Sequence, residues 1–259
     1  MHSDDKAHDT RLAAQVAAGG RIRAAVLDLW QRTRIDWGFV TDRLAQTFRQ
    51  ERWIGSHDRR FIAETLYGLV RHLRRIDAAL AAVQKRAGAP RDLDRVLTYL
   101  VTADLLPPDA AAQASPLDWR AVHAAYTALG QARDLRQRVA IGQSLPDWLA
   151  DLLIADWGSE AEALAAALNQ RAPMTVRANR LRADRAQVQQ NLAALGIASH
   201  PGELAGNALR LDTRTNLFGL APFTEGQFEA QDEGSQLLAE VAVDALAGST
   251  GASGASKAP

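Results

Sequence analysis

Residues 173–180, Pro173-Met-Thr-Val-Arg-Ala-Asn-Arg180, mark the position at which the hydrophobic pattern of the chain changes. From Met174 onward, apolar and polar residues alternate with a period of two, which predicts a half-buried strand. Before Pro173, apolar residues recur with the spacing of a helix. This segment therefore predicts a helical part followed by an α/β part.

The helical part extends from about Arg11 to Gln170. Its apolar residues recur three or four positions apart, as on one face of a helix. Capping residues and prolines separate successive helices: Ser56 can cap one of them, and Pro107–Pro108 ends another. We predict an all-helical bundle over residues 21–170, preceded by a flexible N-terminus at residues 1–20.

The α/β part continues beyond the first strand with one helix and two short strands. The helix is predicted from Asp184 to Leu195 and is stopped by Gly196. Strands are predicted at 197–199 and 208–211. A strand–helix–strand–strand series of this size indicates a small α/β domain over residues 171–222.

The last predicted element is a helix over residues 232–246, which begins at Asp232. Its larger apolar residues include Leu237, Leu238 and Val241. A helix of about fifteen residues is marginal alone in water, and an exposed apolar stripe favours association. We expect this helix to fray or to mediate self-association. Residues 248–259 are dominated by glycine, serine and alanine and are expected to form a disordered tail.

Composition limits the classes of function. The 259 residues are 47% apolar and carry 30 basic and 30 acidic residues, so net charge gives no indication of a nucleic-acid partner. Of the basic residues, 27 are arginine, whose planar fork suits bidentate contacts with phosphate. A GC-rich genome explains the same bias equally well.

The chain contains no cysteine, which excludes disulfides, zinc ribbons and thiolate nucleophiles from these residues. Its six histidines lack the i, i+4 spacing of a helical metal site, so we expect no metal ligands. Residues 1–9 lack the pattern of a signal peptide, and no run of about 18 apolar residues occurs. We therefore expect a cytoplasmic protein without a membrane span.

A cluster of arginines surrounds the first predicted strand and the turn after it. With one amide, it forms the predicted RNA-binding site, whose residues are Arg177, Asn179, Arg180, Arg182 and Arg185. Guanidinium groups on a strand face and in the following turn suit contacts with a phosphate backbone. A solvated strand face without a ligand explains the same pattern.

A second basic stretch, residues 49–75, interleaves arginines with Trp53 and Phe61. Aromatic and arginine side chains together can bind single-stranded RNA. The alternative, which we favour, places the aromatic residues in a helical core and the arginines on a solvated face.

Three segments carry a resemblance to the RsmB–NOP–Sun family of RNA (cytosine-5) methyltransferases. Residues 58–71, Asp-Arg-Arg-Phe-Ile-Ala-Glu-Thr-Leu-Tyr-Gly-Leu-Val-Arg, resemble the signature of the NusB-like domain of the bacterial members. Residues 173–179 resemble the family pattern Pro-x-x-x-Arg-x-Asn. Residues 226–237, Gly-Gln-Phe-Glu-Ala-Gln-Asp-Glu-Gly-Ser-Gln-Leu, resemble the segment that leads into the methyltransferase fold.

The resemblance implies a mainly α fold in three parts. These are a NusB-like helical RNA-binding domain at 21–170, a small α/β, RNA-recognition-like domain at 171–222, and the truncated start of a Rossmann-like methyltransferase domain at 223–247. It implies S-adenosylmethionine as the cofactor of the full-length family and RNA, in particular ribosomal RNA, as the partner.

The chemistry implied by the resemblance requires a glycine-rich cofactor loop and two cysteines, one of which attacks the base. The sequence contains neither feature, and covalent activation of cytosine needs a thiolate. We therefore expect no catalytic residue, no cofactor-binding residue and no methyl transfer by this chain. Two alternatives stay open: a non-enzymatic NusB-like RNA-binding or ribosome-assembly protein, and the product of a frameshift.

Overall fold

The computed structural model describes residues 3–84 and 88–251. The chain divides into two compact units, Met1–Gln170 and Arg171–Pro259. The first unit is helical, and the second contains a small antiparallel sheet with helices. The predicted fold class, mainly α with a small α/β part, is confirmed.

The helical unit consists of successive helices joined by short turns. Its long helices are α1 (Ser3–Ala18), α2 (Arg21–Asp36), α3 (Val40–Gln50), α4 (Ser56–Val83) and α5 (Asp92–Thr102). The shorter helices that follow are α6 (Pro108–Ala114), α7 (Trp119–Leu129), α8 (Leu135–Gln137), α9 (Asp147–Trp157) and α10 (Ala161–Leu168). A π-helical turn at Arg138–Gly142 continues α8, and a 3₁₀ turn at Gly158–Glu160 precedes α10. Within the described residues, no helix is both long and apolar enough to cross a membrane.

The main core of this unit lies between α1, α2, α4, α5 and α7. Trp30, Phe61 and Trp119 are its largest buried side chains and are almost completely excluded from solvent. Burial of each such side chain stabilises the fold by about 1.5–3 kcal/mol. The placement of Phe61 agrees with the core interpretation of residues 49–75.

The N-terminal segment differs from the expectation of a flexible N-terminus at residues 1–20. It forms α1, and Leu12, Ala13 and Val16 of this helix are buried in the main core. Arg60 of α4 also donates a hydrogen bond of 3.0 Å to Asp9. The sequence expectation missed this helix because its buried residues are small and widely mixed with polar ones.

Many arginines of the helical unit hold helices together. The Asp92 carboxylate accepts hydrogen bonds from the Trp30 indole at 3.0 Å and from the guanidinium groups of Arg34 and Arg95 at 2.7 and 3.1 Å. Arg95 also pairs with Asp77 of α4 at 2.7 Å. Burial raises the pKa of Asp92, but the hydrogen bonds outweigh burial, so its pKa is lowered overall. These charges are buried in pairs, because a buried charge without a partner would strongly destabilise the fold.

A smaller core lies between α8, α9 and α10, around Val139, Ala150 and Ala161. Two arginines of α4 connect α4 to the segments around this core. Arg74 donates to Asp147 at 2.6 Å, and Arg75 donates to the Tyr126 carbonyl at 2.8 Å. Both arginines belong to the basic stretch at residues 49–75, so part of its charge has a structural role.

The second unit is built on one antiparallel sheet. Its strands are β1 (Met174–Ala178), β2 (Ser199–Pro201), β3 (Ala208–Leu211) and β4 (Phe228–Ala230), in the order β2-β3-β1-β4. Its helices are α11 (Arg185–Ala194), α12 (Ala221–Thr224) and α13 (Glu233–Gly251). On one face of the sheet, Val176, Leu209 and Phe228 pack with Val188 and Leu192 of α11 to form the core.

The small domain extends beyond residue 222, where the sequence prediction ended it. Strand β4 pairs with β1 and places Ala178 opposite Phe228, whose ring is fully buried in the sheet core. Residues 226–230, which we expected to begin a methyltransferase domain, therefore complete the small sheet. Strand β4 was not predicted because its residues lie in segment 226–237, which the family resemblance assigned to the next domain.

Two other boundaries also differ. The strand predicted at 197–199 lies at Ser199–Pro201, while the strand predicted at 208–211 is confirmed. The last helix continues to Gly251, into the segment predicted to be disordered. The remainder of that predicted tail lies outside the described residues.

Gly68 is the tightest packing position between α4 and α5. A Cβ at this position would overlap the Tyr99 ring, which is mostly buried and whose hydroxyl donates to the Glu64 carbonyl at 3.3 Å. Burial raises the pKa of Tyr99 to about 12. The signature-like segment at 58–71 thus needs glycine for close helix contact.

Gly68→Ala is expected to destabilise the helical unit by about 1–3 kcal/mol through overpacking, although alanine is the better helix former by about 1 kcal/mol. Urea unfolding followed by circular dichroism measures the change. In a Tyr99→Ala background the overlap is absent, so the same substitution should cost nothing. Equal effects of Gly68→Ala in both backgrounds would contradict the contact.

Candidate nucleic-acid interface

The second face of the sheet carries Arg177 of the predicted site, together with Thr175 of the same strand. Register places Thr175 of β1 opposite Arg210 and places Arg177 opposite Ala208 on β3 and Glu229 on β4. Side chains at these positions share one face because strand residues alternate between faces. Thr175 and Ala208 are nevertheless buried, since helix α13 packs on this face next to β1.

Helix α13 is held on the sheet by polar contacts at its first turn. The Glu233 carboxylate accepts hydrogen bonds from the backbone N–H groups of Leu204 and Ala205 at 2.6 and 3.0 Å. These backbone hydrogen bonds hold the pKa of Glu233 below its ordinary value. Gln236 is only 1% exposed and donates from its amide to the Gln231 carbonyl at 3.1 Å.

The apolar residues predicted to form a stripe on this helix mostly face solvent. Leu238 is 72% exposed and Val241 is 57% exposed, whereas Leu237 is half-buried. The helix therefore docks through its polar side, which differs from the expected lack of any partner surface. Self-association through residues 232–246 stays a prediction.

A groove with a volume of about 620 Å³ lies between β1, the β2–β3 turn and α13. Its lining residues are Arg177, Arg180, Gly206, Asn207, Gln236, Ala239, Glu240, Val243 and Asp244. Gly206 lies beside α13 at ordinary contact distance, since a Cβ at this position would lie 3.9 Å from the Glu240 carboxylate. The volume falls within the range of about 300–1,000 Å³ that is typical of ligand sites.

The two walls of the groove carry opposite charges. Arg177 and Arg180 supply the basic wall, while Glu240 and Asp244 of α13 supply the acidic wall. Over residues 3–84 and 88–251, no carboxylate forms an ion pair with either of these guanidinium groups. The groove thus contains unpaired charges of both signs on facing surfaces.

The predicted site residues separate into two groups. Arg177 and Arg180 line the groove, whereas the exposed Arg182 and the half-buried Arg185 lie outside its lining. Asn179 has a structural role: its amide nitrogen donates to the Gly226 carbonyl at 2.8 Å, and its amide oxygen accepts from the Leu181 N–H at 3.2 Å. The structure therefore brings together two of the five predicted residues.

The groove residues that lie far from the arginine cluster in the sequence were not predicted. Asn207 belongs to a predicted turn, and Gln236, Glu240 and Asp244 recur every four residues along the predicted last helix. That spacing is a detectable signal, because residues four apart lie on the same face of a helix. Nothing in the sequence showed that this face meets β1.

No group of three or more metal-ligating side chains occurs among the residues that the structure describes. The groove carboxylates stand opposite arginines, which oppose cation binding. The chemistry of the site is therefore that of hydrogen bonding and ion pairing.

The fold and the groove can now be compared with known proteins. A family model described as the ferredoxin-like domain of RsmF/B-like methyltransferases matches residues 145–217. The match begins just before α9, upstream of the boundary between the two compact units, and covers α11 and strands β1 to β3. The matched elements define the class of this part of the chain as the ferredoxin-like domain of RsmF/B-like methyltransferases.

Curated relatives support the same class. A probable ribosomal RNA small subunit methyltransferase B from Synechocystis sp. is 30% identical over 209 residues, which are 71% of this chain and 47% of the relative. A ribosomal RNA small subunit methyltransferase B from Xanthomonas campestris is 28% identical over 251 residues, 88% of this chain and 55% of the relative. The chain thus spans about half the length of these relatives.

The chain belongs to the RsmB–NOP–Sun family, as the three sequence segments predicted. Among solved structures, the crystal structure of PH0851 resembles the chain with a TM-score of 0.50 and 16% identity. The likeness covers 82% of this chain and 52% of that chain, and at this identity it concerns the fold alone.

Gly202→Ala is expected to displace α13 from the sheet. A Cβ at this position would overlap the Glu233 carboxylate and the Ala208 Cβ, so the docking contacts at the first turn of α13 must shift. Hydrogen exchange of amides 236–245 should speed up. Gly219→Ala is the matched control, because no atom lies near its Cβ position. Unchanged protection in Gly202→Ala would show that α13 is held by other contacts.

Proposed function

We propose that residues 1–259 form the RNA-binding part of a ribosomal RNA (cytosine-5) methyltransferase, and that the groove beside β1 is where RNA is bound. The relatives are ribosomal RNA small subunit methyltransferases B, and this supports RNA as the partner. The chain spans about half of their length, so the activity of the whole protein enters only as part of this proposal.

The observation that carries the proposal is the unpaired state of Arg177 and Arg180. Arginines of the helical unit such as Arg95 and Arg138 are held in ion pairs at 2.7 and 2.6 Å. The two groove arginines have no such partner in the described chain. A guanidinium group left unpaired beside a groove is suited to bidentate contacts with phosphate oxygens.

The position of these arginines also favours a nucleic-acid strand. Arg177 lies on the sheet face, and Arg180 lies in the turn after β1. Strand β1 and this turn are held by backbone pairing with β3 and β4 and by the Asn179 amide. A rigid support of this kind lowers the entropy cost of ordering the arginine-bearing segment when RNA binds.

The proposed function assigns no chemical step to these residues. The family resemblance implies cysteine chemistry and S-adenosylmethionine for the full-length enzymes, and the 259 residues contain no cysteine. Without a thiolate there is no nucleophile for covalent activation of cytosine. The role proposed for this chain is therefore to bind and position RNA.

The double substitution Arg177→Ala and Arg180→Ala is expected to weaken binding of single-stranded RNA by about 3- to 30-fold at low salt. Loss of two phosphate contacts should also reduce the slope of log K against log salt by about 0.7 per contact. Fluorescence anisotropy with a labelled oligoribonucleotide measures both quantities. The same protein incubated with RNA and labelled S-adenosylmethionine should transfer no methyl group.

The control for this experiment is Arg49→Ala with Arg52→Ala, which removes the same charge from two exposed positions of the helical unit. An equal loss in both double variants would indicate general charge attraction only. A larger loss in the control would place RNA binding on the helical unit and overturn the groove proposal.

A further inference from the structure

We propose that the acidic wall of the groove recognises ribose 2′-hydroxyl groups, so that the chain prefers single-stranded RNA over single-stranded DNA. This inference rests on the proposed RNA-binding function and names the residues that select the sugar. The phosphates lie against Arg177 and Arg180. The sugar hydroxyls donate hydrogen bonds to Glu240 and Asp244 across the groove.

The first support is a ridge of hydrogen-bond acceptors along α13. Gln236, Glu240 and Asp244 all line the groove and follow one another at intervals of four residues. Successive members are about 6 Å apart along the helix axis. The wall facing the arginines therefore presents the carboxylates of Glu240 and Asp244 to any strand in the groove, next to the buried amide of Gln236.

The second support is a buried acceptor without a donor. Gln236 is only 1% exposed, and its amide nitrogen already donates to the Gln231 carbonyl. Its amide oxygen has no hydrogen-bond partner among the described residues. A buried polar atom left unpaired is costly, so a hydroxyl or N–H donor that enters the groove would stabilise the complex by satisfying it.

The third support concerns the sign of the charges. Carboxylates oppose a phosphate backbone, so an acidic wall weakens nucleic-acid binding unless it gains hydrogen bonds. Ionised carboxylates accept hydrogen bonds only, and a ribose 2′-hydroxyl supplies a donor that deoxyribose lacks. Acidic side chains bind ribose 2′-hydroxyls in the same way in dinucleotide-binding folds. The acidic wall therefore lowers the affinity for DNA more than the affinity for RNA.

The geometry leaves room for the ligand between the two walls. No ion pair joins Arg177 or Arg180 to Glu240 or Asp244 within the described chain. Gly206 lines the groove beside Glu240 and adds no side chain to it. A groove of about 620 Å³ thus separates phosphate-binding cations from hydroxyl-binding anions.

The test compares oligouridylate with oligodeoxyuridylate of equal length, binding to the full chain at low salt. The two probes differ only at the 2′ position. Uracil is chosen because it has no exocyclic amino group that could donate to the carboxylates in place of the sugar hydroxyl. We expect the parent chain to bind the RNA probe about tenfold more tightly. Glu240→Ala with Asp244→Ala should bring the ratio of the two affinities close to one, mainly through tighter binding of DNA.

Glu203→Ala is the matched control, because Glu203 is exposed, belongs to the same unit and lies outside the groove lining. It should shift both affinities equally and leave their ratio unchanged. Binding of both probes with equal affinity by the parent chain would overturn sugar recognition while leaving the proposed RNA-binding function intact. Binding of neither probe would overturn both proposals. A ratio that Glu240→Ala with Asp244→Ala leaves unchanged would overturn the assignment of the acidic wall.

Discussion

The contact between Glu233 and the backbone N–H groups of Leu204 and Ala205 determines where helix α13 lies on the sheet of the second unit. It fixes the start of α13 on the sheet, and the rest of the helix then follows one side of β1. Without it, Arg177 would lie on an open strand face. With it, the same arginine lies in a groove whose opposite wall is acidic, and both proposals for this unit depend on that arrangement.

The distribution of arginine explains why the composition alone was ambiguous. In the helical unit, Arg34 and Arg95 form buried or half-buried pairs that connect helices. Arg59 donates to the Ile54 carbonyl at 2.9 Å and completes a turn. Arg177 and Arg180 have the same side chain but no such partner. Which arginines are held in ion pairs, and which line a groove without one, is visible only in the three-dimensional structure.

The sequence predicted the architecture well and the site only in part. Period-two alternation at β1 and helical spacing before it indicated the change of fold, because these patterns follow from burial of one face. Strand β4 was not predicted because segment 226–237 was assigned by resemblance to the following domain. Gln236 and Glu240 are separated from Arg177 by more than fifty residues, and no local pattern reports a long-range approach of this kind. The sequence also did not show that the Asn179 amide holds the turn after β1 through hydrogen bonds to Gly226 and Leu181, and its RNA-binding role stays a prediction.

Mapping of the bound RNA on the full chain tests the central claim most directly. Amide chemical shifts of the 259-residue protein would be followed as a single-stranded oligoribonucleotide is added. If the groove is the RNA-binding site, the largest shifts fall at Arg177, Arg180, Asn207 and Gln236, on both walls together. Shifts confined to the helical unit, with residues 174–180 and 233–245 unchanged, would contradict the account.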